Sequence, residues 1–193
     1  MKVKKIADAF FPTRYGKFTV HAFVDQEGKE HIVLTRCEHG SHGQVPVRIH
    51  SRCLTGDTLS SKRCDCRDQL EASMRYLERK GCGMLIYLDQ EGRGIGLANK
   101  IKAYALQDKG MDTVEANVHL GFGEDLRDYS VAAEIIKFFG INDIALLTNN
   151  PDKIKDLERH GIRVAKRIPI RVKANRYNKR YLDTKREKMR HLI

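Results

Sequence analysis

Met84-Leu-Ile-Tyr-Leu-Asp-Gln-Glu-Gly-Arg-Gly-Ile-Gly-Leu97 passes from a short apolar run, through a glycine-rich turn, into a helical pattern. Five apolar residues bounded by turn residues read as a buried strand. The glycines then lead into a helix that is expected to carry Leu97, Ile101 and Tyr104 inward and to stop near Gly110. Upstream lies another helix, with Leu70, Met74 and Leu77 on one face and Gly81 and Gly83 at its end. Residues 51–66 before it are polar and aperiodic, which predicts a loop. The first third reads as strands over residues 17–24, 31–36 and 44–50, the last placed near a sheet edge by Pro46. Downstream, residues 111–127 read as a loop, and Val131, Ala132, Ile135, Ile136 and Phe139 mark one face of a helix. A strand follows over residues 144–147. Asn150-Pro151 opens the next helix, since Asn caps well and Pro suits the first turn, and Gly161 closes it. Two short strands and a last helix, at about residues 182–191, complete the pattern. The expected fold class is α+β (mixed α/β): a strand-rich N-terminal part, then alternating helices and strands around one mixed sheet.

The 193 residues fit a single domain, residues 1–193, and 41% apolar content suffices for a core. No apolar run approaches a membrane span, and no signal peptide is visible, which places the protein in the cytoplasm. The formal net charge is +11, of which +10 falls between Arg163 and the C-terminus. The basicity thus belongs to the tail, whose composition from about residue 173 permits flexibility. Charge alone fits a polyanionic small substrate, a nucleic acid or a solvated tail equally.

Five cysteines, three of them clustered, point to metal before disulfide in a reducing compartment. Cys64-Asp-Cys66 directs two soft thiolates at one ion, and Cys53 returns as a third. Three ligands leave a position open for water, as in catalytic zinc sites. His50 as a fourth would make the site structural, and spacing fits both. Cys37, His39 and His42 form a second possible set, better read as a polar hairpin loop, and Cys82 reads as an isolated, buried apolar residue. The turn Glu91-Gly-Arg-Gly-Ile-Gly96 has backbone N–H groups suited to phosphate, although its glycine spacing matches neither a Walker loop nor a dinucleotide fingerprint. Arg48, His50, Arg52, Arg93 and Lys153 add positive charge.

Several strings together resemble GTP cyclohydrolase II. They are Arg48-Ile-His-Ser-Arg-Cys-Leu-Thr-Gly-Asp57, Arg63-Cys-Asp-Cys66, Gln90-Glu-Gly-Arg-Gly-Ile-Gly-Leu97, Lys100-Ile-Lys-Ala-Tyr-Ala-Leu-Gln-Asp108, Asp112-Thr-Val-Glu-Ala-Asn117, Leu147-Thr-Asn-Asn-Pro151 and Tyr181-Leu-Asp-Thr-Lys185. The resemblance covers nearly the whole chain, in the family's order, and points to the monofunctional form. It implies conversion of GTP and water to formate, pyrophosphate and a diaminopyrimidine ribose phosphate, the first committed step to riboflavin. It implies one catalytic Zn²⁺ per chain on Cys53, Cys64 and Cys66, and Mg²⁺ with the triphosphate. Substrate contacts implied by it are Arg48, Ile49, His50, Ser51, Arg52, Gln69, Glu91, Gly92, Arg93, Thr113, Thr148 and Lys153. The family assigns Asp125 as proton acceptor, Arg127 as nucleophile toward the α-phosphate and Tyr104 to formate release. A guanidinium stays protonated in ordinary settings, so a phosphate clamp is the more conservative role for Arg127. The family is usually a homodimer.

Two positions depart from the family pattern: Arg52 stands where Glu is usual, and Arg67 where Gly is usual. Both add positive charge near the expected metal and phosphates. Two alternatives accompany the main reading. One is a family paralogue that acts on GTP or another purine nucleotide with incomplete chemistry. The other is a zinc-stabilised nucleic-acid-binding protein, which is disfavoured because only Tyr177 and Tyr181 interleave with the tail's charges.

Overall fold

Strand β5 (Gly83–Leu88) is covered on both faces: Met84, Ile86 and Leu88 join one core, while Leu85 and Tyr87 join another. That double burial explains its uninterrupted apolar sequence. The same division runs through β2 (Gly16–Asp25), where Phe23 enters the first core and Phe18 and Val20 the second. The computed structural model describes residues 3–36, 44–123 and 125–192, and all statements below concern these.

The strands are β1 (Val3–Thr13), β2, β3 (Glu30–Arg36), β4 (Val45–Ser51), β5, β6 (Asp143–Leu147) and β7 (Arg163–Ile168). They form one seven-stranded sheet in the order β1-β2-β3-β5-β4-β6-β7. The β1, β2, β3 and β5 pairings are antiparallel, and those of β5, β4, β6 and β7 are parallel. The mixed sheet expected from the sequence is therefore present, with β5 at the change of direction. Helix α1 (Cys66–Lys80) supplies Met74 and Leu77 to one core. On the other face, α4 (Ser130–Phe138) supplies Ala132, Ala133, Ile135 and Ile136, and α5 (Pro151–Arg159) supplies Leu157. The Asn150 side chain accepts from Asp152 N, giving the expected cap. No helix is long and apolar enough to cross a membrane.

Several local expectations change. β1 was not anticipated. β4 lies inside the sheet rather than near its edge, because Pro46 precedes the first β4–β5 pair, Val47 with Met84, and so removes no donor from that ladder. The expected loop over 111–127 contains α3 (Thr113–His119), which is started by an Asp112–Glu115 capping box. In α2 (Gly96–Asp108) the buried residues are Lys100 and Ala103, whereas Leu97 and Ile101 are exposed. The helix turns a polar face inward because that face lines a polar cavity. β7 replaces the two expected short strands, and α6 (Lys179–Glu187) starts and ends earlier than expected.

Candidate active site

The parallel strands β4, β5 and β6 end side by side at Ser51, Leu88 and Leu147. The segments leaving these ends carry Cys53, Glu91 and Thr148 to one cavity, the usual place for a site in such a sheet. Arg48 and His50 reach it from the β4 face opposite Val47 and Ile49, the side on which α1 lies.

The sulfur atoms of Cys53, Cys64 and Cys66 all lie within 4.8 Å of one another, with Cys53 and Cys64 sulfurs 3.8 Å apart. A short π-turn at Leu54–Thr58 brings Cys53 back to the N-terminus of α1. Its Gly56 leaves no room for a side chain, since a Cβ would stand 2.8 Å from Cys64 Sγ. Lys100 Nζ donates to Cys53 Sγ at 3.1 Å and to Glu91 Oε1 at 2.8 Å, and Leu54 N donates to Glu91 Oε2 at 2.6 Å. Hydrogen bonds from Cys64 and Cys66, with help from Lys100, hold Cys53 well below the ordinary thiol value. No His, Asp or Glu among the described residues joins the three sulfurs. His50 is instead committed elsewhere: its Nε2 lies 3.1 Å from both Asp57 carboxylate oxygens, and its ring stacks on Tyr87. This arrangement does not provide the closed Cys3His alternative. Three convergent thiols with an open side fit zinc of the catalytic kind.

Away from the sulfurs the cavity is cationic. Arg48 donates from Nη1 to Leu147 O and from Nη2 to Gln69 Oε1, and burial pushes it down to about 10. Lys153 is 4% exposed and donates to Ile49 O at 2.7 Å. Burial, then Arg48 and Arg127, hold it well below the usual lysine value. In the glycine turn, Gly92 and Arg93 adopt left-handed φ values of 63° and 61°. That is an uncommon conformation for arginine, and both terminal nitrogens of Arg93 are buried without a hydrogen-bond partner. Buried donors of this kind are rare unless a ligand meets them.

Asp125 and Arg127 form a bidentate pair, with Arg127 Nε 2.8 Å from Asp125 Oδ1 and Nη2 on Oδ2. Leu126 N donates to Arg93 O at 3.1 Å, which ties this loop to the glycine turn. Burial alone would lower Arg127, but the Tyr129 and Asp125 oxygens outweigh it and raise the guanidinium above its ordinary value. Tyr104 Oη lies 3.3 Å from Thr55 Oγ1, near the sulfurs.

Every site residue anticipated from the sequence lines this cavity except Ile49 and Asp125. Ile49 offers its carbonyl to Lys153, and Asp125 pairs with Arg127. Arg52 stands at the rim, exposed and paired with Asp89 at 2.9 Å. Arg67 has no positive φ and pairs with Glu71 on α1, so the freedom of the family's usual glycine is not used there. Cys37, His39 and His42 lie outside the described residues. Cys82 is half-buried and disulfide-bonded, not an isolated core thiol.

Sequence reasoning gave no role to Asp65, Lys100, Asn117, Tyr181, Lys185 or His191, all of which line the cavity. Asp65, Lys100, Asn117, Tyr181 and Lys185 do fall inside the quoted family strings. His191 carried no signal beyond belonging to a basic tail. Buried Lys185 pairs with Asp65 at 2.8 Å, and Asp65 accepts from Gln69 at 2.5 Å.

The family profile described as GTP cyclohydrolase II matches residues 4–169. A GTP cyclohydrolase-2 from Picrophilus torridus is 53% identical over 185 residues, covering 96% of both chains. One from Neisseria meningitidis is 53% identical over 188 residues, covering 97% of this chain and 95% of its own. Riboflavin biosynthesis protein RibBA of Staphylococcus saprophyticus is 52% identical across 100% of this chain, which corresponds to 48% of that protein.

Proposed function

The chain belongs to the GTP cyclohydrolase II family, a family of hydrolases, and from that premise we propose that it converts GTP to formate, pyrophosphate and 2,5-diamino-6-(5-phosphoribosylamino)pyrimidin-4(3H)-one, feeding riboflavin synthesis. One observation carries this reading. Three convergent thiols, with no fourth side-chain ligand among the described residues, share a cavity with Arg48, Arg93 and Lys153, none of which has an ion-pair partner among those residues. One end suits a hydrolytic metal and the other a polyphosphate.

Cys53, Cys64 and Cys66 would hold one zinc ion, which as a Lewis acid lowers the pKa of water toward neutral and so supplies hydroxide for ring opening. Lys100 neutralises thiolate charge at Cys53 and fixes Glu91, whose other oxygen holds the cysteine loop. Arg48, Arg93 and Lys153 bind and orient the phosphates, with Mg²⁺ accompanying the triphosphate. Arg127 is best suited to clamp phosphate oxygens, because its pairing with Asp125 opposes the deprotonation that a nucleophile needs. The Tyr104 hydroxyl, beside Thr55 and the sulfurs, is placed to donate a proton during formyl release. A homodimer is the proposed assembly.

The test is incubation of the zinc-loaded protein with GTP and Mg²⁺, followed by mass analysis. Formate, pyrophosphate and the pyrimidine in equal amounts are expected. Unchanged GTP, or pyrophosphate loss with an intact purine, would overturn the reading. The Tyr104→Phe variant is expected to accumulate a formylated pyrimidine, and formate release at the native rate would remove the role assigned to Tyr104.

A further inference from the structure

The basic tail turns inward. Helix α6 and the residues after it are tied down at widely separated points. Lys188 pairs with the capping residues Asp112 and Glu115 of α3, and Lys185 pairs with Asp65 beside the cysteines. Past the helix, His191 N donates to Lys185 O at 2.9 Å, and Leu192 N donates to Asn149 O at 2.8 Å, just after β6. These bonds draw the last turn of the chain across the cavity and place His191 in its wall.

The imidazole of His191 has an unusual setting. Its Nε2 is buried and has no hydrogen-bond partner among the described residues. Lys185, Arg127, Lys153 and Arg93 line the same cavity. Burial and then these cations push it down to about 3, so the ring is neutral and one nitrogen carries a hydrogen. Among the described residues the acidic groups of this cavity are already committed: Asp125 pairs with Arg127, Asp65 with Lys185 and Glu91 with Lys100. A buried polar nitrogen without a partner costs stability unless a ligand meets it, and the terminal nitrogens of Arg93 are in the same condition.

We propose that the C-terminal segment completes the substrate site, and that His191 Nε2–H donates a hydrogen bond to a phosphate oxygen of the nucleotide. This rests on the functional reading above and adds to it a binding residue from a part of the chain outside residues 4–169, the span matched by the family profile. Lys185 holds the segment in place through Asp65, and His191 makes the contact.

The experiment measures binding of GTP, guanosine and inorganic tripolyphosphate to the full-length, zinc-loaded protein by calorimetry, with zinc content and circular dichroism recorded for each variant. His191→Ala is expected to weaken GTP and tripolyphosphate binding about 10-fold and to leave guanosine binding unchanged, the loss typical of a hydrogen bond to a charged group. His191→Gln keeps an N–H donor and is expected to recover affinity to within about 3-fold of native, which a merely structural role would not produce. Native tripolyphosphate affinity in His191→Ala would overturn the proposal. So would an equal loss for guanosine, or a Gln variant as weak as the Ala variant. Failure of the native protein to open GTP would count against the functional reading alone, because the tripolyphosphate comparison still tests His191.

Discussion

Gly56 illustrates how closely the three-cysteine cluster is fitted. A Cβ there would lie 2.8 Å from Cys64 Sγ and 3.1 Å from Cys53 Sγ, so even a methyl group must push the sulfurs apart. Gly56→Ala is expected to lose most of its bound zinc, measured by elemental analysis, and to lose turnover in proportion. A full zinc complement would show that the loop yields instead. Lys153 gives a second prediction at this scale. Burial and the nearby Arg48 and Arg127 disfavour its ammonium form in the free protein. A bound triphosphate favours the ammonium and raises its pKa again, so protons are taken up with the ligand and affinity rises as pH falls. Calorimetry in buffers of different ionisation heat is expected to show proton uptake in the native protein and less of it in Lys153→Met. Equal uptake in both would exclude Lys153 as the source.

Among the elements, α3 is legible in the sequence only through its cap. Asp112 and Glu115 have the capping-box spacing, yet the surrounding residues lack an apolar stripe long enough to announce a helix, and only Val114, Ala116 and Asn117 are buried. Because Lys188 bonds both capping residues, the cap also anchors α6. Asp112→Ala is expected to lower stability by about 1 kcal/mol in urea unfolding. It should also speed amide exchange in α6, and unchanged exchange there would show that the Lys188 pair does not hold the helix. α2 carries the complementary lesson. Leu97 and Ile101 have helical spacing, but spacing identifies a shared face without saying which way it points. Here the partner of α2 is the cavity, so Lys100 and Ala103 face in.

For the whole molecule, the sheet carries the core and the site occupies the ends of its strands. Leu146, Ile86 and Val47, all fully buried on neighbouring strands, pack without help from the cysteines. Under the proposed zinc-dependent function, chelation is therefore expected to abolish turnover while the amides of β4, β5 and β6 stay protected from exchange. Loss of that protection would make the metal structural.

The sequence alone determined the strand and helix periods in most of the chain, the cysteine trio, and the family strings that place nearly every cavity residue, because these are local patterns of apolarity, turn chemistry and ligand type. It did not determine that β4 lies between β5 and β6, that His50 turns to Asp57 and away from the sulfurs, or that His191 reaches the cavity wall. Each of those outcomes depends on partners far apart in the chain, such as Lys185 with Asp65 and Leu192 with Asn149, and no local pattern encodes such a pairing. The basic tail shows the difference most directly. Its composition fitted a solvated arm, a nucleic-acid binder or a polyanion site equally, and only folding revealed that Lys185 and His191 face the cavity.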